Sequence, residues 1–190
     1  MPNKELDREF RVLNQTLSIH TLLRDKYNGL ALILDLSLLA CSVIFCATTF
    51  AGDDFYSKIG LLPETGRLVL GIASILAFSC SIISLRVNWK GKGANHSEAV
   101  KKLSDVAAQF RKEQHENGAW TEGIEENLHN DYWNAMNNIV EIPANKFNKL
   151  KAKHLKKVEI SKMISSSPGC PIFLMNLVLT CRSIKKFFSK

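Results

Sequence analysis

From Gly29 to Phe50 the sequence reads GLALILDLSLLACSVIFCATTF, an apolar stretch with Asp35 as its single charged residue. A helix of this length covers the roughly 30 Å of hydrocarbon in a bilayer. A second stretch, Leu68 to Leu85, reads LVLGIASILAFSCSIISL and carries no charge. The two stretches predict a pair of membrane-spanning helices, at 29–50 and 68–89, joined by an outer loop at 51–67.

The charges beside the two spans predict their orientation. Basic residues flank the ends that lie away from the loop: Arg24, Lys26, Arg86, Lys90 and Lys92. Such residues stay on the cytoplasmic side, so both termini are expected in the cytoplasm. A polar arm precedes the first span, whose apolar run is too long for a signal peptide, so we expect this span to be retained.

The overall composition hides this segregation. With 46% hydrophobic and 23% charged residues, the 190-residue chain has the averages of a soluble domain. Its net charge of +7 favours anionic partners, either lipid headgroups or nucleic acid. The five cysteines are expected to be reduced, because most of the polar chain is predicted to face the cytoplasm.

Polar residues recur on one face of each predicted span. They are candidates for lining a pore or for packing helices together: Asp35, Ser42, Thr49, Ser74 and Ser81. Under one interpretation, hairpins from several copies assemble through these faces into a homo-oligomer. Under the other, Asp35 lies only about 9 Å into the membrane and snorkels to the headgroups, while the small residues Ala73, Ala77 and Ser81 pack one hairpin internally.

The polar segments are predicted to be helical. Residues 1–28 form an amphipathic helix with Leu6, Phe10, Leu13 and Leu17 on one face, expected to pack within the chain or an oligomer. Residues 90–167 form a cytoplasmic bundle of three amphipathic helices, which begins after a helix break at the glycines of 90–93. Residues 168–190 form a short apolar helix with a basic end, too short to span a bilayer and either interfacial or packed on the core.

The third helix of this bundle is unusually basic. Seven lysines accompany one acid, Glu159, along a helix expected from about Asn145 to Ile164. The candidates for binding a polyanion are Lys146, Lys149, Lys153, Lys156 and Lys157. A lipid surface or a nucleic-acid backbone would suit them, and a merely solvated helix face is the simpler interpretation.

The motifs of common enzyme chemistry are missing from the sequence. The five histidines lack the partners three or four residues away that a helical zinc site requires, and no phosphate-binding loop or nucleophile elbow is present. We therefore expect no catalytic site, no metal and no cofactor. The expected fold class is an all-α membrane protein: a two-span hairpin with an N-terminal amphipathic helix and a cytoplasmic helical bundle.

This layout resembles the SLATT family of two-transmembrane effectors. The resemblance rests on the order of the helices, on Asn127, His129, Asp131 and Tyr132, and on the segment Pro143 to Lys157. It implies a pore-forming effector of a bacterial antiviral system, which permeabilises the inner membrane and causes abortive infection. A separate sensor would release it, either a nucleotide-signalling protein or a retron reverse transcriptase with its RNA-linked DNA.

The chain departs from such systems in having no recognisable ligand-binding domain, so activation would come through a partner. Nucleic acid could act through that partner. The competing hypothesis is a membrane-anchored adaptor, in which the hairpin is only an anchor and the basic bundle binds a protein or a nucleic acid.

Overall fold

The protein is all-helical in the computed structural model, which describes residues 4–58, 60, 62–117 and 124–188. The all-α fold class is thus confirmed, with no strand among these residues. Gly118 and Thr121, expected to end one helix and cap the next, lie outside them. The helices are α1 (Lys4–Lys58), α2 (Pro63–Val87), α3 (Trp89–Asn117), α4 (Ile124–Asn137), α5 (Ala144–Ser166) and α6 (Ile172–Phe188).

The chain divides into two compact units. The bundle unit combines Met1–Leu22 with Glu98–Lys190, and the apolar unit is Leu23–Ser97. Helices α1 and α3 each contribute residues to both units. Within Lys4–Phe50 and within Pro63–Gln114 there is a segment long and apolar enough to cross a membrane.

The core of the bundle unit is built by the start of α1 together with α3 and α4. Each helix presents an apolar stripe at steps of three and four residues, which is the period that keeps side chains on one helical face. Phe10 and Phe110 stack with their ring centroids 5.5 Å apart. The buried members of this core are Leu6, Leu13, Leu103, Val106, Ala107, Phe110, Leu128, Tyr132 and Ala135.

This core corrects the predicted composition of the bundle. The lysine-rich helix was expected as its third member, but α5 buries Leu150 alone, and the N-terminal helix takes that place. The physical reason is the width of the apolar face, because α1 offers a full stripe whereas the lysines leave α5 a narrow one. The expectation that the N-terminal helix packs within the chain is confirmed.

Polar contacts join α1 to α3 and α4 at the edge of this core. The Glu9 carboxylate, 7% exposed, lies 2.8 Å from Nδ1 of His129. Arg111 donates from Nη2 to the side-chain oxygen of Asn14 over 3.4 Å. Burial raises the pKa of Tyr132, and the negative charge of Glu9 adds to the effect. The phenol therefore stays neutral as a member of the core.

The helix break after the second apolar stretch lies at Asn88 and not at the glycines of 90–93. Asn88 adopts a left-handed conformation, with φ of 49° and ψ of 56°. Its backbone N–H donates to the carbonyl of Ser84, and its side-chain oxygen accepts the N–H of Gly91 over 3.0 Å. One asparagine thus ends α2 and caps the start of α3, both of which are favoured roles for this residue.

The two glycines that follow belong to α3 and permit close approach. A Cβ atom at Gly93 would overlap the side-chain amide of Asn28 in α1. At the other end of the apolar unit, a Cβ at Gly66 would overlap the buried ring of Tyr56. A larger residue at Gly66 would displace the ring of Tyr56, whereas at Gly93 the flexible side chain of Asn28 would have to turn aside.

A substitution pair in α1 tests the core of the bundle unit. Leu13 is fully buried and the adjacent Val12 is 36% exposed. We expect Leu13→Ala to lower the free energy of unfolding by about 2–5 kcal/mol, because it leaves a cavity. Val12→Ala should cost less than about 1 kcal/mol. Denaturant unfolding of the detergent-solubilised chain, followed by near-UV circular dichroism, measures both, and equal losses would contradict this assignment of the core.

Candidate functional site

An ion pair forms in the apolar unit between Asp35 of α1 and Lys90 of α3. The distance from Oδ2 of Asp35 to Nζ of Lys90 is 2.7 Å. Asp35 is the charge inside the first apolar stretch, and Lys90 follows the second one by five residues. In the sequence, Lys90 stood out only as one of the basic residues beside the second span. Its pairing with Asp35 is visible only in the folded structure.

The pair borders a cavity of about 240 Å³ between the apolar helices, whose lining mixes polar and apolar side chains. Ser81 and Ser84 of α2 contribute hydroxyl groups, and Asn88 contributes its amide. Such a cavity is large enough for several water molecules, each of which needs about 30 Å³, and these groups could act as their hydrogen-bond partners. Ala31, Leu38 and Leu85 close its apolar sides, so the polar groups are concentrated at one end of the unit.

The ion pair lowers the cost of placing Asp35 beside hydrocarbon. A lone aspartate near the centre of a spanning helix costs about 2.5–3.5 kcal/mol on translocon-based scales. A lysine at hydrogen-bond distance makes the pair neutral overall, and its long aliphatic stem lets the ammonium group reach the carboxylate. Asp35 therefore has a specific partner in its own chain, which neither sequence interpretation had supplied.

The other predicted polar residues of the spans behave differently from Asp35. Ser42, Thr49 and Ser74 are exposed, and each donates its hydroxyl proton to a carbonyl of its own helix. The distances to Leu39 O, Phe45 O and Gly71 O are 2.7, 2.7 and 2.8 Å. Of the five candidates, the structure brings together Asp35 and Ser81 and leaves the other three on outer surfaces.

The small residues of α2 lie on its partly buried side. Ala73, Ala77, Ser81 and Ser84 are all half-buried, at steps of four, four and three. In α1 the half-buried positions likewise follow steps of three and four: Leu34, Leu38, Cys41, Phe45 and Thr48. Matching stripes of this kind are typical of two helices packed face to face. The small residues of α2 are thus on its partly buried side, which is compatible with both interpretations of the polar faces.

A second candidate site is the basic face of α5. At about 100° per residue, the five predicted lysines fall within an arc of roughly 100°. Four are exposed and Lys146 is half-buried. We call this set the lysine stripe: Lys146, Lys149, Lys153, Lys156 and Lys157. Lys151 and Lys162 lie elsewhere on the helix, and Lys162 pairs with Glu159 at 3.0 Å.

His154 lies beside the lysine stripe on α5, four residues after Leu150 and four before Val158. Burial lowers the pKa of His154, and the positive charge of Lys157 lowers it further. The folded protein therefore favours the neutral imidazole. The unfolded chain takes up a proton at the ordinary pKa of about 6.5, at a higher pH than the folded protein does.

This shift predicts that stability falls as the pH drops below about 7, because protons bind first to the unfolded state. We expect His154→Gln to remove that part of the pH dependence. The thermal midpoint of both proteins in detergent, measured from pH 7.5 to 5.5, provides the comparison. A constant difference between the two midpoints across this range would contradict the assignment.

Comparison with known proteins does not identify a relative of this chain. No protein-family model, no curated protein and no solved structure matches the chain. The class that the structure defines is therefore an all-helical protein with two helices able to cross a membrane. Among the described residues, no group of three or more His, Cys, Asp and Glu side chains could hold a metal ion, and all five cysteines are free thiols.

The sequence alone did not reveal three residues that organise these sites. The sequence indicated Lys90 only as a basic residue beside the second span, and it did not single out Asn88 or Glu9. Asn88 had a local signal, because asparagine is enriched at left-handed helix ends. Lys90 and Glu9 had none, since their partners, Asp35 and His129, are far away in the sequence.

A double-mutant cycle tests the ion pair. We expect Asp35→Asn and Lys90→Met to be coupled by about 1 kcal/mol, at the upper end of exposed pairs, because the apolar surroundings weaken screening. The free energy of unfolding of both single variants and the double variant in detergent gives the coupling. As a control, Asp35→Asn should show no coupling with Lys92→Met, and equal coupling in both cycles would rule out a specific pair.

Proposed function

We propose that this protein is a membrane effector that assembles with copies of itself and permeabilises the bacterial inner membrane. The main support for this proposal is the exposure of its two apolar segments. Only 6% of the residues in the first segment and 0% of those in the second are buried within the chain. Exposed apolar surface costs about 25 cal/mol per Å² in water, so a bilayer or further copies must cover it. The basic flanks support an orientation with both termini in the cytoplasm.

Assembly of several copies is supported by the placement of hydroxyl groups. Asp35, Ser42 and Thr49 recur at steps of seven, which keeps them near one face of α1. The two hydroxyls are exposed and are satisfied by their own helix, so they can face lipid at low cost. In a ring of copies the same hydroxyls would face a shared polar path and exchange their local bonds for water.

The Asp35 and Lys90 pair would govern the resting state of this path. While the two side chains are paired, the local charge is neutral and each copy is self-contained. If the start of α3 moved away during assembly, the carboxylates of several copies would be left around the path. Rings of carboxylates favour cations, so the proposed pore passes cations more readily than anions.

The trigger in this proposal is a sensor partner of an antiviral system. The resemblance to the SLATT family supports it, and the residues that carry this resemblance lie in the bundle unit. His129 pairs with Glu9, and Tyr132 belongs to the core. A nucleotide-signalling protein, or a reverse transcriptase with its RNA-linked DNA, would act on this unit and release the effector, so that the infected cell dies before the phage multiplies.

Short induction of the protein alone in bacterial cells tests this function. A membrane-potential dye and propidium entry report permeabilisation of the membrane. We expect rapid depolarisation by the wild-type protein and little by Asp35→Leu, which removes the charge from the proposed path. Asp25→Leu is a matched control, because it removes an acid from the same helix ahead of the apolar stretch.

The outcomes separate the roles proposed for the parts of the chain. Equal depolarisation by Asp35→Leu, at equal amounts of protein in the membrane, would disprove the role of Asp35. Intact membranes with the wild-type protein would argue against permeabilisation by this chain alone and would leave two possibilities, an effector whose sensor must still be supplied or the adaptor.

The adaptor is a second candidate because the bundle unit has its own core and an exposed lysine stripe. In that case the apolar unit serves only as an anchor. An unrelated two-span anchor fused in its place would then preserve the function in phage defence. A permeabilising effector would lose its function on the same replacement, so this exchange distinguishes the two candidates.

A further inference from the structure

Helix α6 carries a continuous apolar stripe on the side that α5 does not cover. Its members follow one another at steps of four, four, three and four residues, which keeps them within about 80° of arc. Phe173 is 72% exposed and Phe188 is 82% exposed. We call this set the α6 stripe: Phe173, Leu177, Cys181, Ile184 and Phe188. All five side chains are exposed.

The opposite side of α6 packs against the rest of the bundle unit. Met175 is 1% exposed, and Leu179 is half-buried. Leu179 and Ser183 line a groove of about 460 Å³ together with residues of α5. Helix α6 is therefore held on α5 by one face, while the side chains of the α6 stripe stay exposed.

The charges around the α6 stripe are basic. Helix α6 contains Arg182, Lys185 and Lys186 and no acidic residue. Lys156, a member of the lysine stripe, also lines the groove between α5 and α6. The lysine stripe thus reaches the groove between α5 and α6 at Lys156. Glu159 lines the same groove and is paired with Lys162. An occupant of this region therefore meets apolar side chains together with an excess of positive charge.

We propose that α6 lies in the surface of an anionic bilayer, with the α6 stripe among the upper acyl chains and the lysine stripe close to lipid phosphates. The apolar part, Ile172–Ile184, extends about 20 Å as a helix and is too short to cross the membrane. Helices with one apolar face and basic flanks bind in the plane of the interface. A nucleic acid would contact the lysines and leave the α6 stripe in water.

The proposal rests on the membrane location within the proposed function and not on permeabilisation. If the two apolar helices span a bilayer, they hold α6 at a high effective concentration near its surface. Docking would then need no high intrinsic affinity. The bilayer is therefore favoured over any occupant that must first be recruited from solution.

Cys181 allows a direct test, because this exposed thiol lies in the middle of the α6 stripe. The other four cysteines are changed to Ala, and Cys181 of the full-length protein carries an environment-sensitive nitrobenzoxadiazole label. The protein is reconstituted into phosphatidylcholine vesicles with and without phosphatidylglycerol. With phosphatidylglycerol present, we expect quenching by lipids spin-labelled near the headgroup and protection from iodide. A label at Lys101→Cys, in a Cys181→Ala background, should remain open to iodide.

Matched charge variants test the lysine stripe in the same vesicles. Lys149→Glu with Lys153→Glu should reverse the protection of the label from iodide. Lys112→Glu with Lys151→Glu changes the net charge equally, outside the stripe, and should preserve the protection. Equal loss in both variants would overturn the role of the stripe.

The remaining outcomes distinguish this proposal from the proposed function. A Cys181 label open to iodide in both vesicles, on protein that resists carbonate extraction, overturns the docking of α6 and leaves the membrane location intact. The docking is likewise overturned if an added oligonucleotide protects the lysines from acetylation while the Cys181 label stays in water. Inserted label without any leak of vesicle contents supports the docking and counts against permeabilisation.

Discussion

The change in surface along α1 is the constraint on which the rest of the structure depends. This helix runs without a break from Lys4 to Lys58. Its first turns carry an apolar stripe that fits α3 and α4, and its later turns are apolar on nearly every side. The polar face of the first turns of α1 is stable in contact with water, whereas exposing the later, apolar turns to water is unfavourable. One continuous helix therefore requires two environments, and the division of the chain into two units follows this requirement.

Charge in the apolar unit follows from the same constraint. Asp35 interrupts an otherwise apolar stretch, and Lys90 neutralises it at 2.7 Å. The hydroxyl groups of three residues cost less to place in an apolar segment, because each donates its proton to a carbonyl one turn earlier in its own helix. These residues are Ser42, Thr49 and Ser74. The difference is one of magnitude, because a hydroxyl needs only one hydrogen bond whereas a carboxylate needs a counter-charge or water. This is why only the charged residue recruits a distant partner.

The bundle unit shows how a basic surface can remain available. Its core is complete without the lysine-rich helix, since α1, α3 and α4 supply the buried residues. Helix α5 consequently buries Leu150 alone, and the lysine stripe lies beside that position with four of its five side chains exposed. Had α5 been the third member of the core, more of its surface would have been covered. The arrangement leaves a basic face and, next to it, the exposed apolar stripe of α6.

Local periodicity predicted most of the fold. The two apolar stretches, the stripe of Leu6, Phe10, Leu13 and Leu17, and the extent of α5 could all be read from spacing, because helix formation and amphipathicity are local properties. The candidate sites were predicted less completely. The spacing of the lysines placed them on one face, whereas the partner of Asp35 could not be inferred from residues near it.

The sequence by itself determined that this is an all-helical chain with two apolar helices able to cross a membrane and a separate basic helix. Only the tertiary structure decided that the N-terminal helix completes the bundle core, that Asn88 joins α2 to α3, and that Asp35 pairs with Lys90. The physical reason is that helical period and apolar content are set by neighbours along the chain. The choice of partner depends on which faces meet in space, and residues near one another in the sequence do not show which of several amphipathic helices pack together.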